Sequence, residues 1–182
     1  MGVGPIQKPL NIIVGVDKAG GFGKDGKIPW HFPEDLKHFK EVTKDSICIM
    51  GRKTYEDMLE MVKARQKKKR KVSKILPSRH CIVLTRQENY KAEGADVASS
   101  LIQAIADLPE DDKRPIFVIG GEKLFVESLP FVHTVYMTIV NDYYDCDRFF
   151  PLEYLTKKFR IAEGKTNDDE KLMFMKYQRT TK

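Results

Sequence analysis

The sequence predicts an α/β fold: a central, mostly parallel sheet flanked by helices, closed by an antiparallel hairpin at its C-terminal edge. Three observations carry this. Short β-branched apolar blocks alternate with segments of helical spacing along most of the chain, as strands joined by crossover helices do. Two of these blocks run into glycine and then into a helical segment, at Gly51 and at Gly120-Gly121. The last apolar stretches, residues 159–162 and 171–178, read as a hairpin, which would add an antiparallel edge.

The elements follow in order. Leu10–Val16 (LNIIVGV) is short, β-branched and bounded by turn residues, which predicts a buried strand. Pro33 opens PEDLKHFKEVT, where Leu36, Phe39 and Val42 recur at helical spacing behind a proline at the first helical position. SICIM (46–50) reads as a strand, and TYEDMLEMV (54–62) as a helix capped by Thr54. HCIVLT (80–85) is a strand; Ser99 or Ser100 then caps a helix with Leu101, Ile102, Ile105 and Leu108 on its inner side. IFVIGG (116–121) is a strand meeting a glycine pair, EKLFVESL (122–129) a helix and VYMTIV (135–140) a strand.

The chain has 182 residues, suited to a single domain over 1–182. The purely apolar runs are too short to span a bilayer, and the N-terminus lacks a charged region followed by a long apolar one, so no signal peptide is read there. Cys48, Cys81 and Cys146 are odd in number and far apart, which argues for a reducing, cytoplasmic setting over a disulfide framework. The net charge of +6 invites a nucleic-acid reading. Yet residues 61–76 hold eight of the 32 basic residues and none of the 26 acids, so the remainder carries −2. The basicity is one tract, expected as a solvated surface insert at about residues 61–75. Its centre, Lys67, Lys68, Lys69, Arg70, Lys71 and Val72, also matches a nuclear-localisation pattern if the source is eukaryotic.

The chemistry concentrates at the strand-to-helix junctions, since ligands of such sheets bind beyond the carboxyl ends of the strands. MGRKT (50–54) and IGGEK (119–123) each pair glycine with a helix start. Free backbone N–H groups, the positive end of the helix dipole and nearby cations all favour an anion there. Two such junctions suggest a pyrophosphate laid between helix ends. Gly21-Phe22-Gly23-Lys24-Asp25-Gly26 spells GxGxxG, but Lys27-Ile28-Pro29-Trp30 follows where a Rossmann motif needs a helix. It reads instead as a flexible glycine-rich flap able to close on a ligand. Asp35 shares a helix face with Leu36 and Phe39; it is either an acid stabilised in the first helical turn or a carboxylate facing an apolar pocket. In the second case desolvation raises its pKa and a partner with adjacent N–H donors satisfies both oxygens. His31, His38, His80 and His133 show no metal-ligand spacing, and neither a GxSxG elbow nor a recognisable cysteine nucleophile is present. Cofactor chemistry remains.

Taken together, VGVDKAGGFGKDGKIPW, PEDLKHFK, IMGRKTYE, Arg79 before HCIVLT, VIGGEKLF, VYMTIV and DCDRFFP, in that order, resemble the dihydrofolate reductase family from about Leu10 to Pro151. The resemblance implies that fold and NADPH-dependent reduction of dihydrofolate in support of one-carbon metabolism and thymidylate synthesis. It implies a small-molecule partner (dihydrofolate, or antifolates in its place); the short apolar runs argue against a membrane partner and the single basic tract against a nucleic-acid one, and a monomer is expected. It implies that Asp35 holds the pterin 2-amino group and N3, assisted by Thr138, with Trp30 holding an ordered water. Ile13, Ile28, Leu36, Phe39, Met58, Leu76 and Ile119 would line the substrate cleft, and Arg79 would clamp the α-carboxylate of the folate glutamate. The NADPH contacts would come from Gly15, Gly21, Phe22, Gly23, Lys24, Asp25, Gly26, Lys27, Lys53, Thr54, Ile119, Gly120, Gly121, Glu122, Lys123, Leu124 and Phe125. Arg52 or Lys53, with Thr85, Arg86 and Ser99, would receive the adenosine 2′-phosphate. A cis peptide is implied between Gly120 and Gly121. The chain departs from the family pattern in its basic insert, in Phe125 where many members carry tyrosine, in Phe22 for a smaller aliphatic residue and in Tyr55 for tryptophan. A related enzyme reading is reduction of another pterin or a pyrimidine precursor. A nucleic-acid-binding module using Lys67 to Lys71 would leave Asp35, the flap and both junctions without a task.

Overall fold

A computed structural model of the chain describes residues 8–65 and 74–180. The elements run β1 (Leu10–Val16), β2 (Gly21–Gly23), α1 (Pro33–Val42), β3 (Ile47–Gly51), α2 (Arg52–Arg65), β4 (His80–Leu84), β5 (Asp96–Ala98), α3 (Leu101–Ala106), β6 (Ile116–Val118), α4 (Glu122–Ser128), β7 (Val132–Val140), β8 (Arg148–Phe149), α5 (Leu152–Lys158), β9 (Phe159–Thr166) and β10 (Leu172–Arg179). Eight strands form the main sheet in the order β5-β4-β3-β6-β1-β7-β10-β9. From β5 to β7 neighbours are parallel; β10 pairs antiparallel with both β7 and β9. The expected sheet and closing hairpin are thus both present.

Alternation along the strands sorts side chains between two faces. Leu10, Ile12, Val14, Ile47, Ile49, Ile82, Ile116, Val118, Val135 and Met137 point into the larger core, covered by Leu101, Ala104 and Ile105 of α3, Leu124 and Phe125 of α4 and Leu155 of α5. Cys48, Met50, Cys81 and Val83 point the other way, under Tyr55 of α2 and the buried Ile75. Cys48 and Cys81 are register partners on β3 and β4. Burial pushes the Cys81 thiol up to about 12, so it stays a protonated packing group and no nucleophile.

The second face is incompletely covered. Helix α1 contains no fully buried residue, and its Leu36 is 38% exposed. An amphipathic helix normally seats its apolar stripe in the core. Here the stripe stays partly open to solvent, with Leu36 exposed and Phe39 and Val42 half-buried.

Several boundaries correct the sequence reading. The second helix begins at Arg52, so Thr54 lies inside it and is not its cap; the β3 strand passes into the helix with no intervening loop. Ser100, not Ser99, caps α3, accepting from the Gln103 N–H at 3.1 Å. Ile102 is 43% exposed, facing away from the core that Leu101 and Ile105 enter. β7 starts three residues early, the flap contains the short strand β2, and β5, β8 and α5 have no counterpart in the sequence reading. In the expected insert, α2 continues to Arg65, where Lys63 approaches Glu93 at 3.9 Å. The tract Lys67 to Val72 lies outside the described residues. Among the described residues no helix is long and apolar enough to cross a membrane.

Candidate active site

The flap is a small ribbon, not a loose loop. β2 pairs antiparallel with β8, and Lys24 and Lys27 exchange backbone hydrogen bonds at 2.8 and 2.9 Å around Asp25 and Gly26, both with positive φ. Asp-Gly in that conformation is a tight hairpin turn. The buried Asp17 anchors its base. One carboxylate oxygen accepts from the Ala19 and Gly21 N–H groups (2.9 and 2.8 Å), the other from Tyr144 N–H (2.9 Å). Asp147 ties the outer part: it accepts from Asp25 N–H at 3.0 Å and donates its own N–H to the Gly23 carbonyl at 2.8 Å. A Cβ on Gly26 would lie 3.4 Å from the Asp57 carboxylate, so the tip reaches across to α2. Sequence reasoning missed Asp17, Tyr144 and Asp147. An Asp one residue past a strand and just before glycines is a recognisable turn signal; the return contact from residues 144–147 has no local signature. Removing the Asp17 carboxylate orphans three buried or half-buried donors. Asp17→Ala is therefore expected to lower stability by about 2–4 kcal/mol, measured by urea unfolding, with a matching fall in turnover.

Behind the flap, Asp35 is the third residue of α1, its N–H bonded to the Phe32 carbonyl at 3.1 Å. Pro33 at the helix start fixes the chain there. The Asp35 side chain hydrogen-bonds Thr138, which sits on β7 in register with Gly15 of β1. A Cβ on Gly15 would come within 3.3 Å of Asp35 Oδ2 and 3.7 Å of the Trp30 ring. Glycine there lets strand, indole and carboxylate converge. Burial pushes the Asp35 carboxyl above its ordinary value, opposed by the Thr138 hydrogen bond and by His38. Trp30 packs on Tyr144 with ring centroids 5.1 Å apart, and its buried Nε1–H has no acceptor among the described residues.

Around this group the structure brings together most of the predicted apolar lining. Ile13 is buried beside Gly15 on β1. Met58, Leu76 and Ile119 pack partly buried on the second face, and Phe39 lies half-buried on α1. Ile28 is 62% exposed at the mouth. Arg79 sits apart, at the far end of α1. Its Nε donates to Thr43 Oγ1 at 3.2 Å, one terminal nitrogen to the Pro77 carbonyl at 2.6 Å and the other to the Lys40 carbonyl. Three of five N–H groups are thereby used, and two remain for a ligand carboxylate.

At the carboxyl ends of the strands, Gly51 N–H donates to the Gly120 carbonyl at 2.8 Å, and α2 and α4 start from this contact. The Gly120-Gly121 peptide is cis. A Cβ on Gly121 would lie 3.4 Å from Thr54 Oγ1, so Thr54 faces the glycine pair. Thr85 N–H bonds the Ala98 carbonyl at 3.0 Å, which brings the loops after β4 and β5 side by side. Lys53, Arg86 and Ser99 are exposed there. Arg52 instead makes a two-point contact with Glu56, both at 2.9 Å, which among the described residues leaves Lys53 and Arg86 as the uncommitted cations near the glycine junctions. Leu124 and Phe125 bury their side chains in the core, so what they offer a ligand is backbone. Glu122 accepts from Phe149 N–H at 3.1 Å and Lys24 pairs with Asp145 at 3.1 Å; both side chains brace the flap.

The residues expected to depart from the family pattern each find partners within the fold. Phe22 and Phe125 meet edge to face at 5.4 Å, and Phe125 meets Phe150 at 5.5 Å. A tyrosine hydroxyl at a site as buried as Phe125 would need its own partner. Tyr55 does carry one, and its OH donates to the Glu93 carbonyl at 3.0 Å.

A family model described as dihydrofolate reductase matches residues 9–181. Dihydrofolate reductase of Enterococcus faecium is 37% identical over 91% of this chain and 94% of its own length. Dihydrofolate reductase type 3 of Salmonella typhimurium is 33% identical over 87% of each chain. The solved structure of the Enterococcus faecalis dihydrofolate reductase, complexed with NADP(H) and RAB-propyl, superposes with a TM-score of 0.78 at 30% identity and covers 95% of this chain and 97% of that one. With the family model matching residues 9–181 and relatives above 30% identity over most of both lengths, the chain belongs to the dihydrofolate reductase family.

Proposed function

We propose that the cleft binds 7,8-dihydrofolate beside NADPH and reduces it to tetrahydrofolate, with Asp35 holding the pterin. The observation that supports this is the half-buried Asp35 carboxyl, raised by burial and hydrogen-bonded to Thr138, on a helix with no fully buried residue. An ionised carboxylate accepts two adjacent N–H bonds, which matches the 2-amino and N3 edge of a pterin. Thr138 fixes its rotamer. The Trp30 N–H would bind a water beside the ring, and water would carry the proton to N5. The flap, held by Asp17 and Asp147, keeps bulk solvent from the reacting atoms.

The glycine junctions fit a dinucleotide. Gly51, Gly120 and Gly121 let backbone approach a pyrophosphate, and the N–H groups at the start of α2 face it. NADPH, when bound, supplies the hydride that C6 of the pterin receives. Lys53 and Arg86, with Thr85 and Ser99, would hold the 2′-phosphate. Loss of two exposed charge contacts costs about 1 kcal/mol each. Lys53→Ala combined with Arg86→Ala is thus expected to cut the NADPH-over-NADH preference about 30-fold, read from KM for each cofactor. An unchanged ratio assigns the phosphate elsewhere.

The three free thiols suit a reducing cytoplasm, and a monomer is the expected state. The test is direct: purified protein, dihydrofolate and NADPH, with loss of reduced-nicotinamide absorbance followed in time. Steady oxidation that requires dihydrofolate supports the reading; oxidation independent of it, or none, refutes it.

A further inference from the structure

Two of the three cysteines, far apart in sequence, meet in the sheet. Cys48 of β3 and Cys81 of β4 are register partners on adjacent parallel strands, and both side chains enter the second core with Met50, Tyr55, Ile75 and Val83. Neighbouring strands lie about 4.8 Å apart, so residues in register on one face project side by side. Both thiols are free, and the reduction proposed above gives neither of them a task.

The surroundings of the pair are soft. Met50 puts a thioether two residues along the same face, and Ser46 Oγ lies 3.6 Å from the Cys48 sulfur. Among the described residues no third His, Cys, Asp or Glu joins the two thiols, so the four-ligand shell of a structural zinc is not built here. Burial pushes both thiols up from their ordinary value; Arg79 opposes this at both, and Lys74 does so at Cys81. A negatively charged complex at the pair therefore has two cations to balance it. Access exists as well. Cys81 lines an open hollow with Lys74, Ser78 and Arg79, and residues 74–79 beside it are neither helix nor strand. Segments of that kind open locally at small free-energy cost.

We propose that Cys48 and Cys81 form a two-thiolate site for a soft monovalent ion, copper(I). Thiolate and thioether ligands favour Cu(I). Two collinear metal–thiolate bonds, each about 2.3 Å as for zinc, span about twice that length, close to the spacing of neighbouring strands. Binding exchanges two S–H protons, released to water, for two copper–sulfur bonds. The copper stays Cu(I), and the product carries one net negative charge beside Arg79 and Lys74.

The test uses the full chain carrying Cys146→Ser, which removes the third thiol, reduced, kept under argon and titrated with Cu(I) as its bicinchoninate complex. The chain is expected to withdraw one equivalent of copper. X-ray absorption at the copper edge should then show two sulfur neighbours and no nitrogen or oxygen, a result that needs no core substitution. Cys48→Val and Cys81→Val, branched and apolar as strands prefer, are each expected to lose the uptake, with circular dichroism showing the fold retained. No uptake by the Cys146→Ser chain overturns the site, as does a copper shell containing nitrogen or oxygen, or uptake that survives in Cys81→Val.

Discussion

Asp35→Asn is expected to slow turnover at neutral pH by about 10²–10³-fold, the range for a group that orients and electrostatically assists proton transfer, while NADPH affinity changes little. Asparagine keeps the shape and the Thr138 contact but offers one acceptor oxygen where the carboxylate offers two, and it carries no charge. Stopped-flow absorbance separates the hydride step from product release, and fluorescence titration gives the cofactor affinity. An accompanying gain in stability has a definite sign. Burial holds the folded-state carboxyl above 3.8, so between that value and the raised one the folded protein binds more protons than the unfolded chain, and this group's contribution falls as pH rises. Above the folded pKa the cost is fully present. The unliganded Asp35→Asn protein should therefore melt at a higher temperature than the wild type at pH 7, and the difference should vanish below the ordinary carboxylate pKa. Such trade-offs are the usual mark of a site strained for function.

Arg79→Ala should raise KM for dihydrofolate about 100-fold and leave kcat nearly intact. A charge-assisted two-point contact is worth about 2–3 kcal/mol, and the bond it supplies lies far from the reacting atoms, in ground state and transition state alike. Reduced pterins without the glutamate tail lose nothing by this change. The comparison isolates the clamp, because Arg79 also ties Thr43, Pro77 and Lys40 together: a purely structural role would harm both substrates equally.

Much of this was legible in the chain because apolar periodicity reports burial. The β1 block and the IFVIGG block placed two central strands, and Pro33 marked the start of α1 to the residue. Asp35 stood out as an acid on an apolar stripe. What escaped was set by contacts between distant residues. Phe149 pairs with Gly21 across a large separation in sequence, and nothing in GFG or RF announces a strand. Thr54 carries the residue type of a helix cap, yet β3 runs directly into α2 and leaves no cap position. Ile102 fits a helical stripe by type, but α3 is only six residues long and seats Leu101, Ala104 and Ile105 instead. Leu124 and Phe125 are expected from the resemblance to touch the cofactor, while their side chains fill the core. Lys53 and Arg52 were indistinguishable until Glu56 was seen to take Arg52.

The central claim is that one carboxylate on α1 holds the pterin edge next to NADPH. A crystal structure of the chain with folate and NADP+ measures it directly. Both Asp35 oxygens are expected about 3 Å from the pterin 2-amino nitrogen and N3, with Thr138 still bonded to the carboxylate and the nicotinamide against the ring. A pterin bound elsewhere in the cleft, or one whose 2-amino edge faces solvent while Asp35 contacts only protein, would contradict it.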